Sequence, residues 1–247
     1  MKYVSLPNLP KKANGVILSP QTPDSVVYAL ENLKIKIFSG CVLNQPVAEI
    51  SAHPDINILH IKDNMFITSP VSYSYYEDLF KKYKINLIKG STSGIGNYPL
   101  DVAYNVAWVS NRVFHNFKYT DEKVLENTYG IKINVNQGYA KCSVCIVDLS
   151  SIITDDVSIA TAAIANNIDV LLISKGSIRL GKLNYGFIGG ASGKLSKKVL
   201  AFAGDITKHS DYNKIKEFCL QRKIEILPLG NDKLCDIGSI LPIFEEV

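Results

Sequence analysis

Asn231-Asp232-Lys233-Leu234-Cys235-Asp236-Ile237-Gly238-Ser239-Ile240-Leu241 stands near the carboxyl end and reads as one turn followed by a strand. Its Asp-Ile start, followed by small and apolar residues, matches Pro54-Asp55-Ile56-Asn57-Ile58-Leu59. It matches Leu100-Asp101-Val102-Ala103-Tyr104-Asn105-Val106 more loosely. A strand of the same kind therefore recurs early, midway and last. This predicts a chain whose end pairs back beside its beginning.

Outward from that stretch, one unit repeats five times: a strand, a helix and a second strand that stops at glycine. In the first copy Gly15–Ser19 is a strand and Thr22-Pro23 supplies an N-cap and a first-turn proline. Val26, Leu30 and Leu33 share a helix face, and Ile35–Phe38 is the second strand. The later helices are expected over 72–84, 121–129, 156–166 and 210–222. The closing glycines are Gly40, Gly90, Gly138, Gly176 and Gly230, spaced 50, 48, 38 and 54 residues apart.

A doubly wound sheet also alternates strands and helices, but it needs no separate strand ahead of each unit. Here such strands are expected over 55–61, 101–109, 143–147 and from Phe187 onward. Copy one lacks its own, unless Met1-Lys2-Tyr3-Val4 serves, and the tail from Cys235 to Ile243 is the natural replacement. The expected fold is α/β, a five-bladed pseudo-symmetric propeller of ββαβ units, one domain over 1–247, closed by the C-terminal strand. Radial repetition leaves few exposed sheet edges. The Gly- and Ser-rich intervals 91–98 and 177–198 are expected as surface loops, where function often sits.

The 47% apolar and 20% charged residues are those of a soluble globular protein. A net charge of +4, with both signs mixed along the chain, argues against a nucleic-acid partner. No apolar run approaches the ~20 residues of a membrane span, and the N-terminus lacks a signal-peptide core. Five cysteines without a scaffold spacing point to a reducing, cytoplasmic setting. Cys142 and Cys145 form a lone Cys-x-x-Cys in strand-like surroundings. That alternation would turn them to opposite faces, favouring a buried structural pair over zinc or redox use. A zinc set of Cys142, Cys145, Cys235 and His53 would require all four to face the axis.

Gly186-Phe187-Ile188-Gly189-Gly190-Ala191-Ser192-Gly193-Lys194 lacks P-loop spacing, and Leu195 stands where a hydroxyl should bind magnesium. A Gly-rich strand entry that lets a ligand or backbone come close fits better. We expect no cofactor and no resident metal. His60 is expected to be structural or outward, and His115 and His209 carry no role.

Five strand-strand-helix-strand units with a late Cys before the closing strand resemble the pentein superfamily. It includes arginine and agmatine deiminases, dimethylarginine dimethylaminohydrolases and amidinotransferases, besides a non-enzymatic ribosome anti-association factor. The resemblance is architectural and implies a divergent bacterial branch. It implies a Cys nucleophile that attacks a guanidinium carbon, which by position is Cys235. It implies carboxylates that clamp the guanidinium, for which Asp55 and Asp101 stand at suitable places. The family's general acid/base His belongs near the fourth unit, where this chain has Lys141-Cys142-Ser143-Val144-Cys145, and the usual Gly-Gly run beside the Cys is absent.

His53, ahead of Pro54-Asp55, is the expected substitute acid/base if strand starts converge on the axis; otherwise it is an exposed turn residue. Cys235 needs a nearby cation or base to react, and otherwise fills space. Asp55, Asp101 and Asp236 either clamp a cation bidentately or cap their own turns. Ser239, Gly190 and Ser192 complete the candidate substrate contacts. The expected function is a Cys-dependent hydrolase or transferase acting on a small, cationic guanidino or amide compound in a central pocket. The alternative is a non-catalytic binding protein for a small molecule or macromolecule on the same scaffold.

Overall fold

The computed structural model describes residues 2–246. The first unit holds β1 (Lys2–Tyr3), β2 (Ala13–Leu18), α1 (Asp24–Asn32) and β3 (Lys36–Ser39). The second runs β4 (Ile58–Lys62), β5 (Met65–Thr68), α2 (Tyr73–Phe80), β6 (Asn86–Lys89). The third runs β7 (Ala107–Val109), β8 (Arg112–His115), α3 (Glu122–Asn127), β9 (Ile131–Asn134). In the fourth, a single turn α4 (Ala140–Ser143) precedes β10 (Cys145–Ile146), β11 (Ser151–Thr154), α5 (Val157–Ala165) and β12 (Asp169–Leu172). The fifth runs β13 (Ser192–Lys194), β14 (Val199–Phe202), α6 (Tyr212–Gln221), β15 (Glu225–Pro228), and β16 (Leu241–Glu245) ends the chain.

These strands form five separate small sheets, one per unit. In each, the first strand is antiparallel to the central one, and the central one is parallel to the strand after the helix. The parallel pair needs a crossover, and the helix supplies it. Unit one takes its first strand from the far end of the chain: β16 lies antiparallel to β2, with Leu241 opposite Ile17. The fold is thus a five-bladed α/β propeller of pentein type, closed by its C-terminal strand. Apolar clusters fill the spaces between neighbouring sheets; one joins Ile17 and Phe38 of unit one to Phe66, Tyr76 and Phe80 of unit two.

Just ahead of the first strands stand Asn57, Asn105, Ser143 and Ser239, each with no exposed surface. Asn57, Asn105 and Ser239 carry a buried hydrogen-bonded hub, while the Ser143 hydroxyl has no partner among the described residues. Tyr76 joins it from α2, donating to Asn57 Oδ1 at 2.7 Å while Cys41 N donates to its own oxygen at 3.2 Å.

Several local expectations shift. Pro23, not Thr22, occupies the N-cap of α1, and the Thr22 hydroxyl donates back to Ser19 O at 2.7 Å. Leu33 lies beyond the last turn and is half exposed. The added strands are shorter than their apolar runs: residues 54–56 form a 3-10 turn, and β7 and β16 start only at Ala107 and Leu241. β1 pairs with β16 on its outer side and does not replace it; Met1, part of the stretch considered for that role, lies outside the described residues. The interval 177–198 is no simple surface loop, because Ile188, Ala191 and Ser192 are buried. Residues 140–143 are helical and not strand, because Asn105 draws in the backbone N–H groups of Lys141 and Cys142 with its carbonyl and side-chain oxygens, both at 3.1 Å. Among the described residues no helix is long and apolar enough to cross a membrane.

Candidate active site at the hub

His53 heads the 3-10 turn Pro54–Ile56, whose proline presets the first φ and lacks an N–H that would go unpaired. The turn tips Asp55 inward, and both side chains are buried. The C-terminal segment closes over them. Gly238 has φ +69°, and a Cβ there would sit 2.5 Å from His53 Cβ, so only glycine allows that closure. At Gly190 a Cβ would overlap Asp236 Oδ1. The two glycines bring Asp236 and His53 together, His53 Nδ1 lying 3.8 Å from Asp236 Oδ1. Asp236 is held in place by Phe187 N–H at 2.9 Å and Gly238 N–H at 3.1 Å.

From the opposite side α4 delivers Lys141 and Cys142. The Cys142 thiol donates to Asp55 Oδ2 at 3.2 Å and accepts from Asn105 Nδ2 at 3.1 Å. The Ser239 hydroxyl donates to the same Asp55 oxygen at 2.7 Å and accepts from the Lys141 ammonium at 2.8 Å. Lys141, Ser239, Asp55, Cys142 and Asn105 thus form one buried chain drawn from units two, three and four and the tail. Asp55 Oδ1 in this chain and the neighbouring His53 Nδ1 have no hydrogen-bond partner among the described residues.

Burial dominates the electrostatics. It pushes the Cys142 thiol well above its ordinary value, with the Asp55 charge adding to the effect, so the resting group is S–H. Burial pulls the Lys141 amine down, against the pull of Asp55. Burial also raises the Asp236 carboxyl, which His53 opposes and Asp55 reinforces.

Two cavities meet at His53, Leu180 and Asp236. One, of about 240 Å³, exposes Cys142 among Tyr139, Tyr185 and Phe187. The other, of about 370 Å³, is more polar and includes Gln21, Glu49, Lys182 and Cys235. Phe187 stands 6.2 Å from the Tyr139 ring and 6.0 Å from Tyr185. Aromatic faces next to a carboxylate suit a cation.

The sequence candidates divide between these places. Cys235 is half buried on the larger cavity, its thiol 3.7 Å from Asp236 O. Burial raises that thiol too, with Arg179 opposing. His53 is buried, not an exposed turn residue, and Asp236 lies beside it. Asp55 sits behind Cys142, outside both cavity walls. Asp101 lies behind Tyr139, which donates its hydroxyl to it; burial raises the Asp101 carboxyl. Gly190 O accepts from Ile237 N and Ser239 N, and Ser192 Oγ reaches Gly189 O at 3.4 Å.

The ligand atoms of His53, Asp55 and Cys142 all lie within 4.8 Å of one another, a nitrogen, oxygen and sulfur set of the kind zinc accepts. The four-residue set with Cys145 and Cys235 is not assembled: Cys145 turns toward Ser192, and Cys235 faces the larger cavity. Sequence reasoning missed Lys141, Asn105 and Tyr139 as site residues, and it favoured a buried structural pair for Cys142 over a ligand or reactive role. The signal was present, since 141–145 is the region where the resemblance leads one to expect catalytic machinery.

The chain belongs to the family whose model matches residues 17–241, a family of unknown function (DUF6873). No curated protein matches it significantly. Among solved structures it is similar to an inosamine-phosphate amidinotransferase of Streptomyces griseus, with a TM-score of 0.62 at 10% identity over 99% of this chain and 97% of the other. A C. jejuni agmatine deiminase gives 0.57 at 11% over 99% and 96%. An amidinotransferase of saxitoxin biosynthesis from Microseira wollei gives 0.56 at 12% over 91% of each chain. These likenesses extend over nearly the whole chain and establish the shared pentein fold.

Proposed function

We propose that the hub is the active site of a Cys-dependent hydrolase or transferase that acts on a small cationic guanidino or amide compound. The observation that carries this is the meeting of His53, Asp55 and Cys142 beside an aromatic-walled cavity, with His53 Nδ1 and Asp55 Oδ1 left without partners. In this reading Asp236 pairs with the substrate's cation while Tyr139 and Phe187 flank it, and Asp101 holds the Tyr139 ring. The arriving positive charge lowers the cost of a thiolate, and the Cys142 proton passes to His53, directly or by way of Asp55. The sulfur bonds to the guanidinium carbon, and His53 hands a proton to the departing amine. Water or an acceptor amine then displaces the sulfur and restores the thiol. Activities of this kind belong to the amidinotransferases and the agmatine deiminase whose fold the chain shares.

Cys235 is a second candidate nucleophile, favoured by one observation: among the described residues it is the most exposed cysteine, and it shares a cavity with His53 and Asp236. Peptide mapping after incubation with a panel of guanidino compounds separates the two. The expected result is an amidino adduct on the Cys142 peptide, lost with turnover in Cys142→Ala and retained in Cys235→Ala. An adduct on Cys235 moves the nucleophile. Ligand binding without adduct or turnover leaves the scaffold as a binding protein.

A further inference from the structure

Lys194 closes β13 and is 2% exposed. Its ammonium donates to the Lys197 carbonyl at 3.1 Å, and among the described residues no carboxylate comes within salt-bridge distance of it. Burial pulls its amine down to about 8. It borders a cavity of about 370 Å³ that shares no lining residue with the two hub cavities.

The walls of that cavity are apolar: Leu6, Leu9, Pro10 and Leu149, with Lys11 and Lys197 at the rim. Leu149 is 54% and Leu6 37% exposed, so hydrocarbon surface is left facing water. Two acids also reach the cavity: Asp148 attracts the Lys194 ammonium from beyond salt-bridge distance, and Glu245 Oε1 is buried without a hydrogen-bond partner among the described residues. Glu245 accepts from Lys11 N at 2.7 Å and lies 3.9 Å from the Lys2 ammonium; Asp148 accepts from Ser150 N at 2.8 Å. The floor is stitched in place, since Ala13 N donates to Leu195 O at 2.7 Å and Lys197 N to Lys11 O at 3.3 Å.

We propose that this cavity binds a small organic acid, its carboxylate paired with Lys194 and its hydrocarbon body laid against Leu6, Leu9, Pro10 and Leu149. A buried cation with no carboxylate in salt-bridge reach is costly, and an ammonium has three protons to place. A carboxylate answers both needs, and apolar walls reward a hydrocarbon tail. Inorganic phosphate would find one buried ammonium, with Lys11 and Lys197 only at the exposed rim, and would leave the apolar walls uncovered. The site is independent of hub chemistry.

Isothermal titration with butanoate, hexanoate and octanoate tests it, with octanol and octylamine as comparators. Each added methylene should tighten binding about fourfold, as expected from ~0.8 kcal/mol per buried CH₂. Octanoate should bind at least about tenfold tighter than octanol, the size of one charge-assisted hydrogen bond. Lys194→Met should keep octanol binding and erase the preference for the acid, with an unchanged circular dichroism spectrum. Leu149→Asp, on the exposed wall, should weaken all chain lengths. The proposal is overturned if octanoate binds no better than octanol or octylamine, if phosphate binds in place of octanoate, if no acid saturates, or if Lys194→Met retains the acid preference.

Discussion

Two lysines lie almost fully buried in this chain, and they meet opposite surroundings. Lys141 at the hub reaches Asp55 through one hydroxyl, that of Ser239, with Asp236 also contributing attraction. Lys194, at the end of β13, faces a carbonyl and an apolar-walled cavity, with Asp148 attracting it from beyond salt-bridge distance. Burial lowers both amines, but only at the hub does a buried carboxylate stand in the same hydrogen-bonded chain. Both ammonium charges are costly to bury, but removing Lys141 also strands the buried Asp55 carboxylate joined to it through Ser239, whereas Lys194 has no carboxylate in its hydrogen-bonded chain. Neutralising the first should therefore destabilise, and neutralising the second should not.

The largest effect is expected at the hub. Lys141→Met removes the cation and leaves Asp55 and Asp236 buried near each other with only His53 to offset them. Breaking a buried pair from one side costs about 3–5 kcal/mol, to be read as a lowered urea midpoint at neutral pH. The loss should shrink at acid pH, where the Asp236 carboxyl, raised by burial, takes up a proton. A loss below about 1 kcal/mol at neutral pH would mean that the hub charges do not organise this region and would remove the contrast with Lys194.

Pattern revealed much of the blade architecture and little of this contrast. The five glycine-terminated units and the returning tail follow from periodicities of two and of 3.6 residues, which survive in the sequence because each blade buries the same faces. His53, Asp55, Asp236 and Ser239 stood out because they sit at the starts of the added strands. Lys141 and Cys142 did not, because an apolar run such as Cys142–Val147 reads as strand until Asn105, from another unit, curls its first residues into a helical turn. That interaction spans 37 residues and leaves no local trace. Lys194 looked like the end of a phosphate loop; its burial against sheet four depends on packing between blades, which no single unit encodes.

The next effect has the opposite sign. With a folded value of about 8 against an ordinary 10.5, Lys194 binds fewer protons in the folded state than in the unfolded one between those limits. Its charge therefore costs stability in full below pH 8, and the cost disappears as pH rises toward 10.5. The ceiling is about 3 kcal/mol, from ~1.4 kcal/mol per pKa unit. Lys194→Met should be more stable than the parent at pH 7, and the difference should fall away by pH 10.5. Using the difference between the two proteins cancels the other lysines and the tyrosines. A parent that is the more stable at pH 7 would show that Lys194 has an unrecognised partner.

The smallest change probes the hydroxyl that links the two hub charges. Ser239 adopts φ +73°, so alanine adds no backbone strain beyond what serine already bears. Ser239→Ala deletes one acceptor for Lys141 and one donor for Asp55 while leaving both charges in place. Unmet hydrogen bonds of this kind cost about 1–3 kcal/mol, and the low end is expected because the ammonium and carboxylate can close part of the gap. The sharper readout is chemical. Without the serine proton, Asp55 accepts more strongly from Cys142, so alkylation of Cys142 should shift along the pH axis relative to Cys235 in the same sample. If the two cysteines keep their relative rates across the titration, Ser239 acts in packing alone, and the hub chain from Lys141 to Cys142 is not coupled.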